Sequence, residues 1–258
     1  MHYKKLKKLT TILIIASVTL FALFLQNQKA SQKNPNNRPS VESFRSLNDK
    51  QQMSYLKDLA NSFSIDEARN FLKAAYPSEP SDKHELVHAI GEAAYLQFGY
   101  SGLKECDSLF MFGCYHGVVL EAIRQNGYND QVLNDLAGGC LNISTNKTVT
   151  TACSHGIGHA LMVVNSYELL DSYGDCDKTF NQDNQELELF YCWDGVSMEN
   201  VVRRFEKEDA KKYLSPTDPY YPCNSIPEKY QPACAREHVF YIFETLTRRD
   251  MEKVKDYC

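Results

Sequence analysis

Several patterns are missing from this chain of 258 residues, and each absence excludes a class of protein. No stretch shows the sustained alternation of apolar and polar residues that is typical of β-strands, so we expect an all-α fold. The sequence Cys-x-x-Cys-His does not occur, which argues against covalently attached c-type haem. A basic excess is also missing, because 28 Lys and Arg stand against 33 Asp and Glu.

The charge balance is more acidic still outside the N-terminal segment. Four lysines lie between positions 4 and 8, and the other 24 basic residues face 33 acidic ones, a net charge of −9. Binding to the phosphates of a nucleic acid requires a basic face. We therefore expect no nucleic-acid partner.

The N-terminal segment is basic and then apolar. The four lysines precede an uncharged stretch at residues 9–25, LTTILIIASVTLFALFL, which is just long enough to span a bilayer. Ala30 is a candidate for the last residue of a cleaved signal peptide, but Gln28 would then stand where a small residue is needed. We predict an uncleaved signal-anchor at 9–25, with a removed signal peptide as the alternative. Residues 1–8 are then cytoplasmic, and the rest lies in a periplasm, a lumen or at the cell surface.

Residues 26–50 are rich in Asn, Gln, Ser, Lys and Pro and predict a flexible linker. Residues 51–258 predict a helical domain. Ser64 followed by Glu67 indicates a capping box, and Pro77 and Pro80 end the helix that it starts. Ser81 or Asp82 is the expected cap of the next helix, at 84–98. The proline-rich residues 215–232 predict a loop.

One motif occurs three times at a spacing of 39 residues. The copies are Cys114-Tyr115-His116-Gly117, Cys153-Ser154-His155-Gly156 and Cys192-Trp193-Asp194-Gly195. A period of this size predicts stacked helix pairs, as an α/α solenoid or a closed toroid. Residues 88–93 also parallel residues 155–160, and Cys234 opens a weaker final copy. We expect the motif to begin each helix.

The nine cysteines are disulfide candidates in an oxidising compartment. The first eight fall into neighbours along the chain: Cys106 with Cys114, Cys140 with Cys153, Cys176 with Cys192, and Cys223 with Cys234. Each such bridge would close a short loop and stabilise the fold by roughly 2–3 kcal/mol. Other pairings stay open, and Cys258 has no expected partner within the chain.

The histidines are concentrated at the repeated motif. Six of seven lie on or beside the motif helices: His84, His88, His116, His155, His159 and His238. Two pairs, 84/88 and 155/159, are spaced by one helical turn, so both members of a pair share a face. Imidazoles on one face predict a metal site, with zinc as the first expectation and iron or copper as alternatives. The alternative is that each histidine caps or packs.

Carboxylates near these histidines are the candidate catalytic groups. Glu92 extends the first histidine stripe by one turn, and Asp194 replaces histidine in the third copy. Each is a candidate ligand or general base. The glycine after each His or Asp indicates close approach of a backbone, either near the helix start or between packed helices.

Residues 84–88 read HELVH, and this HExxH sequence resembles the signature of zinc metallopeptidases. The resemblance implies two zinc-ligating histidines and Glu85 as general base. Gly91 matches the glycine of metzincins, but Ala94 stands where their third histidine belongs. Glu105 and Glu121 are the downstream candidates for a gluzincin ligand.

The Cys-x-His-Gly step is similar to the Cys-His-Gly step of the lanthionine cyclases, which are zinc-bearing α/α toroids. That resemblance implies an architecture and no activity.

Three hypotheses follow from these patterns. The first is a metal-dependent enzyme outside the cytoplasm, anchored in the membrane by its N-terminal helix. The second is a helical repeat scaffold that binds a protein partner without catalysis. The third is an HExxH metallopeptidase.

Overall fold

The structure is a computed structural model that describes residues 39–202 and 212–257. All regular elements in these two ranges are helical, which confirms the all-α expectation. No helix in them combines the length and the apolar character needed to cross a membrane. The predicted cytoplasmic segment at 1–8, the predicted anchor at 9–25, the first part of the predicted linker and Cys258 lie outside the described residues.

The described residues belong to two compact units divided between Ser46 and Leu47. The first unit contains helix α1 (Val41–Arg45). This helix and the first residues of α2 both lie within residues 26–50, the predicted linker. The helices of the second unit are α2 (Asp49–Ser62), α3 (Ile65–Ala75), α4 (His84–Phe98), α5 (Leu109–Asn126), α6 (Asp130–Asn142), α7 (Lys147–Val164), α8 (Leu169–Thr179), α9 (Glu186–Val202), α10 (Gln231–Tyr241) and α11 (Met251–Val254).

Local sequence signals account for most helix boundaries. The hydroxyl of Ser64 accepts a hydrogen bond from the backbone N–H of Glu67 and caps the start of α3, which confirms the Ser64 half of the predicted capping box. Helix α4 covers the predicted range, but its cap differs from the prediction. A short 3-10 turn at Ser81–Lys83 leads into it, and its N-cap residue, Lys83, makes no side-chain capping bond. The proline-rich loop before α10 contains only turns and a short 3-10 segment, as predicted.

The repeated motif lies in the interior of its helices, which corrects the expectation that it begins each helix. Helices α7 and α9 start six residues before their motif cysteines. In α5 the first residues, Phe110 to Phe112, have left-handed backbone angles (φ 47°, 54° and 63°), and the regular helix follows them. The motif is therefore placed where helices cross, and its glycines have a packing role.

Motif glycines allow two pairs of helices to approach very closely. A Cβ atom at Gly117 of α5 would lie 2.1 Å from the carbonyl oxygen of His88 on α4. A Cβ atom at Gly195 of α9 would lie 2.0 Å from the carbonyl oxygen of His155 on α7. Gly91 and Gly158 make the reciprocal approaches, to backbone oxygens of α5 and α9. The pairs α4/α5 and α7/α9 therefore pack in the same way, whereas the wider solenoid or toroid stays a prediction.

Four disulfides join the predicted cysteine pairs. Their Cα atoms are 5.4 to 5.8 Å apart, within the usual range for a disulfide. Each bridge ties a motif helix, or α10, to the segment that precedes it in the chain. Disulfides of this kind indicate an oxidising, extracytoplasmic environment. Two of them join whole helices, α6 to α7 and α8 to α9.

Candidate metal centre

Five histidine rings from α4, α5 and α7 lie against one another. The centroid distances are 4.9 Å between His84 and His88, 5.0 Å between His84 and His116, and 5.2 Å between His88 and His116. The ring of His116 is also 4.5 Å from that of His159 and 6.0 Å from that of His155. The close approach of α4 to α5 allows this contact, because Gly117 follows His116 directly and lies against the backbone of His88.

The first histidine of the cluster is oriented by the left-handed turn of α5. Nδ1 of His84 lies 2.5 Å from the carbonyl oxygen of Phe110. The backbone N–H of Phe110 donates to Glu79 at 2.8 Å, which holds the turn. Since a carbonyl oxygen only accepts, Nδ1 of His84 must carry the proton. Its Nε2 therefore presents a lone pair, and this atom is 3.2 Å from Nδ1 of His116.

Two histidines of α7 are oriented by carboxylates of α9. Nδ1 of His155 lies 3.1 Å from Asp194, and Nδ1 of His159 lies 2.7 Å from Glu199. Carboxylate oxygens accept these hydrogen bonds, so both Nδ1 atoms carry protons. The two Nε2 atoms, which then bear the lone pairs of the neutral rings, lie only 3.0 Å apart. A carboxylate on Nδ1 with Nε2 free is the usual arrangement around a metal-ligating histidine.

His116 occupies the centre of the cluster and is almost fully buried. Its Nδ1 faces His84, whereas its Nε2 is buried and has no hydrogen-bond partner. Nε2 of His88 is likewise buried and has no partner. A buried polar atom without a partner costs free energy unless something binds it. A metal ion is the simplest group that would satisfy several such nitrogens together.

Burial favours the neutral form of four of these rings. Desolvation is the main cause that lowers the pKa of His84 to about 4, and it lowers the pKa values of His88 and His116 well below the usual range. The pKa of His155 is also lowered by burial, although hydrogen bonding to Asp194 works in the opposite direction. Neutral imidazole is the form that binds metal ions, so the cluster is ready to do so at neutral pH.

Two groups near the second histidine pair were not predicted from the sequence. The thioether Sδ of Met198 lies 3.3 Å from Nε2 of His155, and Glu199 bonds His159 as described. Both residues follow Asp194 on α9 by about one turn. That spacing was a usable signal. The contact of the Phe110 carbonyl with His84 could not be predicted, because no local sequence pattern indicates the left-handed turn.

The other predicted site residues have different surroundings. His238 is buried on α10, its ring 5.1 Å from that of Tyr241, and it belongs to neither group of histidines that could hold an ion. Glu92 forms an ion pair with Lys57 of α2. Glu85 is exposed. Their predicted roles remain predictions.

Asp194 contacts an imidazole and a second carboxyl group. Its Oδ1 lies 3.5 Å from Nε of Arg236, and Glu237 is adjacent. Burial, together with the negative charge of Asp194, raises the pKa of Glu237 to about 8. Glu237 is therefore mostly protonated at neutral pH, so Asp194 has no second carboxylate charge beside it. Asp194 thus acts on the cluster by orienting a ring.

Comparisons of this chain with protein-family models, with curated proteins and with solved structures gave no match.

Proposed function

We propose that this chain is a metalloprotein of an oxidising compartment, tethered by residues 9–25, that binds transition-metal ions through the histidines of α4, α5 and α7. The observation that carries the proposal is the 3.0 Å separation of Nε2 of His155 from Nε2 of His159. Both rings already donate their Nδ1 protons to carboxylates, so two lone pairs face each other. Such a contact is repulsive unless a metal ion or an additional proton lies between the two atoms.

The distances support a first-row metal. Nitrogen ligands lie about 2.0–2.1 Å from zinc, so two ligands of one ion are about 3.0–3.4 Å apart. The separations of 3.0 Å (His155 to His159) and 3.2 Å (His84 to His116) fall in that range. Zinc is our first expectation, and copper or iron would accept the same nitrogens.

A shell of three nitrogens leaves room for a further ligand, and this supports a metal-dependent enzyme. Catalytic zinc sites have three protein ligands and one open position, where a bound water becomes acidic near neutral pH. His155 and His159 retain 16% and 11% exposure of their side chains, so solvent reaches this side of the cluster. The carboxylates of Asp194 and Glu199 act through the rings that they orient.

Metal analysis of the purified full-length chain tests this proposal. We expect bound zinc, copper or iron after purification without chelators, and recovery of binding when the stripped protein is given Zn²⁺. His155→Ala should lower the affinity. His238→Ala is the matched control, because it removes a buried histidine outside the cluster.

The competing outcome is a protein that binds no metal. An additional proton shared between the two Nε2 atoms would also explain the short contact between these rings. Such a protein would contain no metal and would not take up Zn²⁺, and the scaffold hypothesis would then replace ours.

The HExxH hypothesis concerns the same cluster, because His84, His88 and His116 form a group of three donors. A metallopeptidase of this kind needs Glu85 as its general base. Glu85→Gln should abolish peptide hydrolysis while leaving metal content unchanged. Hydrolysis that persists in this variant would remove the hypothesis.

A further inference from the structure

The donor atoms of the cluster gather as two groups of three and not as one group of five. The groups are His84, His88 and His116, and His116, His155 and His159. In each group the ligand atoms lie within 4.8 Å of one another. Nitrogens that bind one ion at about 2.1 Å lie at most about 4.2 Å apart, so each group requires only a small adjustment to enclose an ion.

His116 belongs to both groups, and its two ring nitrogens have different surroundings. Nδ1 is 3.2 Å from Nε2 of His84 and thus faces the first group. Nε2 is buried without a hydrogen-bond partner, and the ring lies 4.5 Å from that of His159 in the second group. The nitrogens of one imidazole point away from each other, so a single ring can serve two ions.

We infer that the cluster holds two metal ions and that the imidazole of His116 bridges them. This inference rests on the proposed metal-binding function. Neutral His116 carries one N–H proton, so binding of the second ion at that nitrogen displaces the proton to solvent. The bridge is then an imidazolate with one lone pair directed at each ion. The other ligands are His84 and His88 on one side, and His155 and His159 on the other.

Stoichiometry is the first test. The full-length chain, stripped of metal with its disulfides intact, is titrated with Zn²⁺, and bound zinc is counted per chain. Two ions per chain are expected. One ion per chain overturns the inference and leaves the proposed function standing. No bound ion overturns both, so the two failures are distinguishable.

Single substitutions distinguish the two proposed ion-binding positions. His88→Ala should leave one ion, bound by the second group, and His159→Ala should leave one ion, bound by the first. His116→Ala should weaken both positions by about tenfold or more, because it removes one ligand from each. If His116→Ala lost one ion and left the other at its original affinity, the ring would not be shared. Circular dichroism confirms that each variant is folded.

A measurement on the unsubstituted protein avoids any doubt about folding. Two Cu²⁺ ions joined by one imidazolate couple antiferromagnetically. The electron paramagnetic resonance signal should therefore grow with the first equivalent of Cu²⁺ and fall with the second. A signal that doubles with the second equivalent would show two magnetically separate ions and would refute the bridge.

Discussion

Replacement of Gly117 by alanine should both destabilise the protein and weaken metal binding. Its Cβ would lie 2.1 Å from the carbonyl oxygen of His88 and 2.9 Å from the His88 Cα. Contact between a carbon and an oxygen needs about 3.2 Å, so α4 and α5 must separate by about 1 Å. Overpacking of this kind costs about 1–3 kcal/mol. That cost exceeds the roughly 1 kcal/mol that alanine contributes in a helix interior relative to glycine.

The same displacement reaches the candidate metal centre. His116 directly precedes Gly117 on α5, and His84 and His88 lie on α4, so a shift of about 1 Å between the helices moves the first three ligands apart. Loss of ligand geometry typically lowers metal affinity by about 10- to 100-fold. Urea unfolding with intact disulfides measures the free energy of unfolding, and a Zn²⁺ titration measures the affinity.

Gly138 and Gly174 provide the matched controls. Both lie inside helices, α6 and α8, and a Cβ atom at either would meet nothing within 4 Å. Gly138→Ala and Gly174→Ala should therefore stabilise the protein by up to about 1 kcal/mol and leave zinc binding unchanged. If Gly117→Ala behaved like these controls, the close packing of α4 on α5 would be refuted, together with its role in placing His116.

Three further predictions concern the surroundings of the cluster. Met198→Leu, which preserves side-chain volume, should lower Cu⁺ affinity by about tenfold and leave Zn²⁺ affinity unchanged, because a thioether is a soft ligand. Competition with a chromophoric chelator measures the two affinities, and an equal loss of Cu⁺ and Zn²⁺ affinity would contradict the prediction. Asp194→Asn should lower Zn²⁺ affinity about 10- to 100-fold, because Asp194 orients His155. His238→Ala is the control variant and should leave Zn²⁺ affinity unchanged. The metal-free protein should lose stability as pH falls from 6.5 to about 4. The pKa of His84 is lower in the folded chain than its ordinary 6.5, so in this range the unfolded chain takes up a proton that the folded chain does not. Thermal unfolding at constant ionic strength measures this loss, and a melting temperature that does not change with pH would contradict the prediction.

Features with a local cause were predicted well from the sequence. The cysteines that pair are neighbours along the chain. Helices such as α3 and α4 carry apolar residues at helical spacing, and two prolines lie between them. The histidine pairs of α4 and α7 also follow from spacing alone, because one helical turn places both rings on the same face. For each of these, the interacting groups lie within about 16 residues of each other.

Features that depend on how helices cross were predicted only in part. The prediction that the motif begins each helix is wrong, whereas one of the two alternatives for its glycine, contact between packed helices, is found inside α5, α7 and α9. The carbonyl of Phe110 faces His84 only because three residues adopt a left-handed conformation. His238 lies near the weaker final copy of the motif, but it belongs to neither group of histidines that could hold an ion.

The two equivalent helix pairs explain why one ring would be shared. His116 and Asp194 each precede the glycine that lies against the backbone of the partner helix, so they hold matching positions in the pairs α4/α5 and α7/α9. In the first pair this position supplies an imidazole. In the second it supplies a carboxylate, which orients His155 and adds no nitrogen. The first pair therefore has three imidazoles and the second only two, and His116 is the ring placed to supply the missing nitrogen.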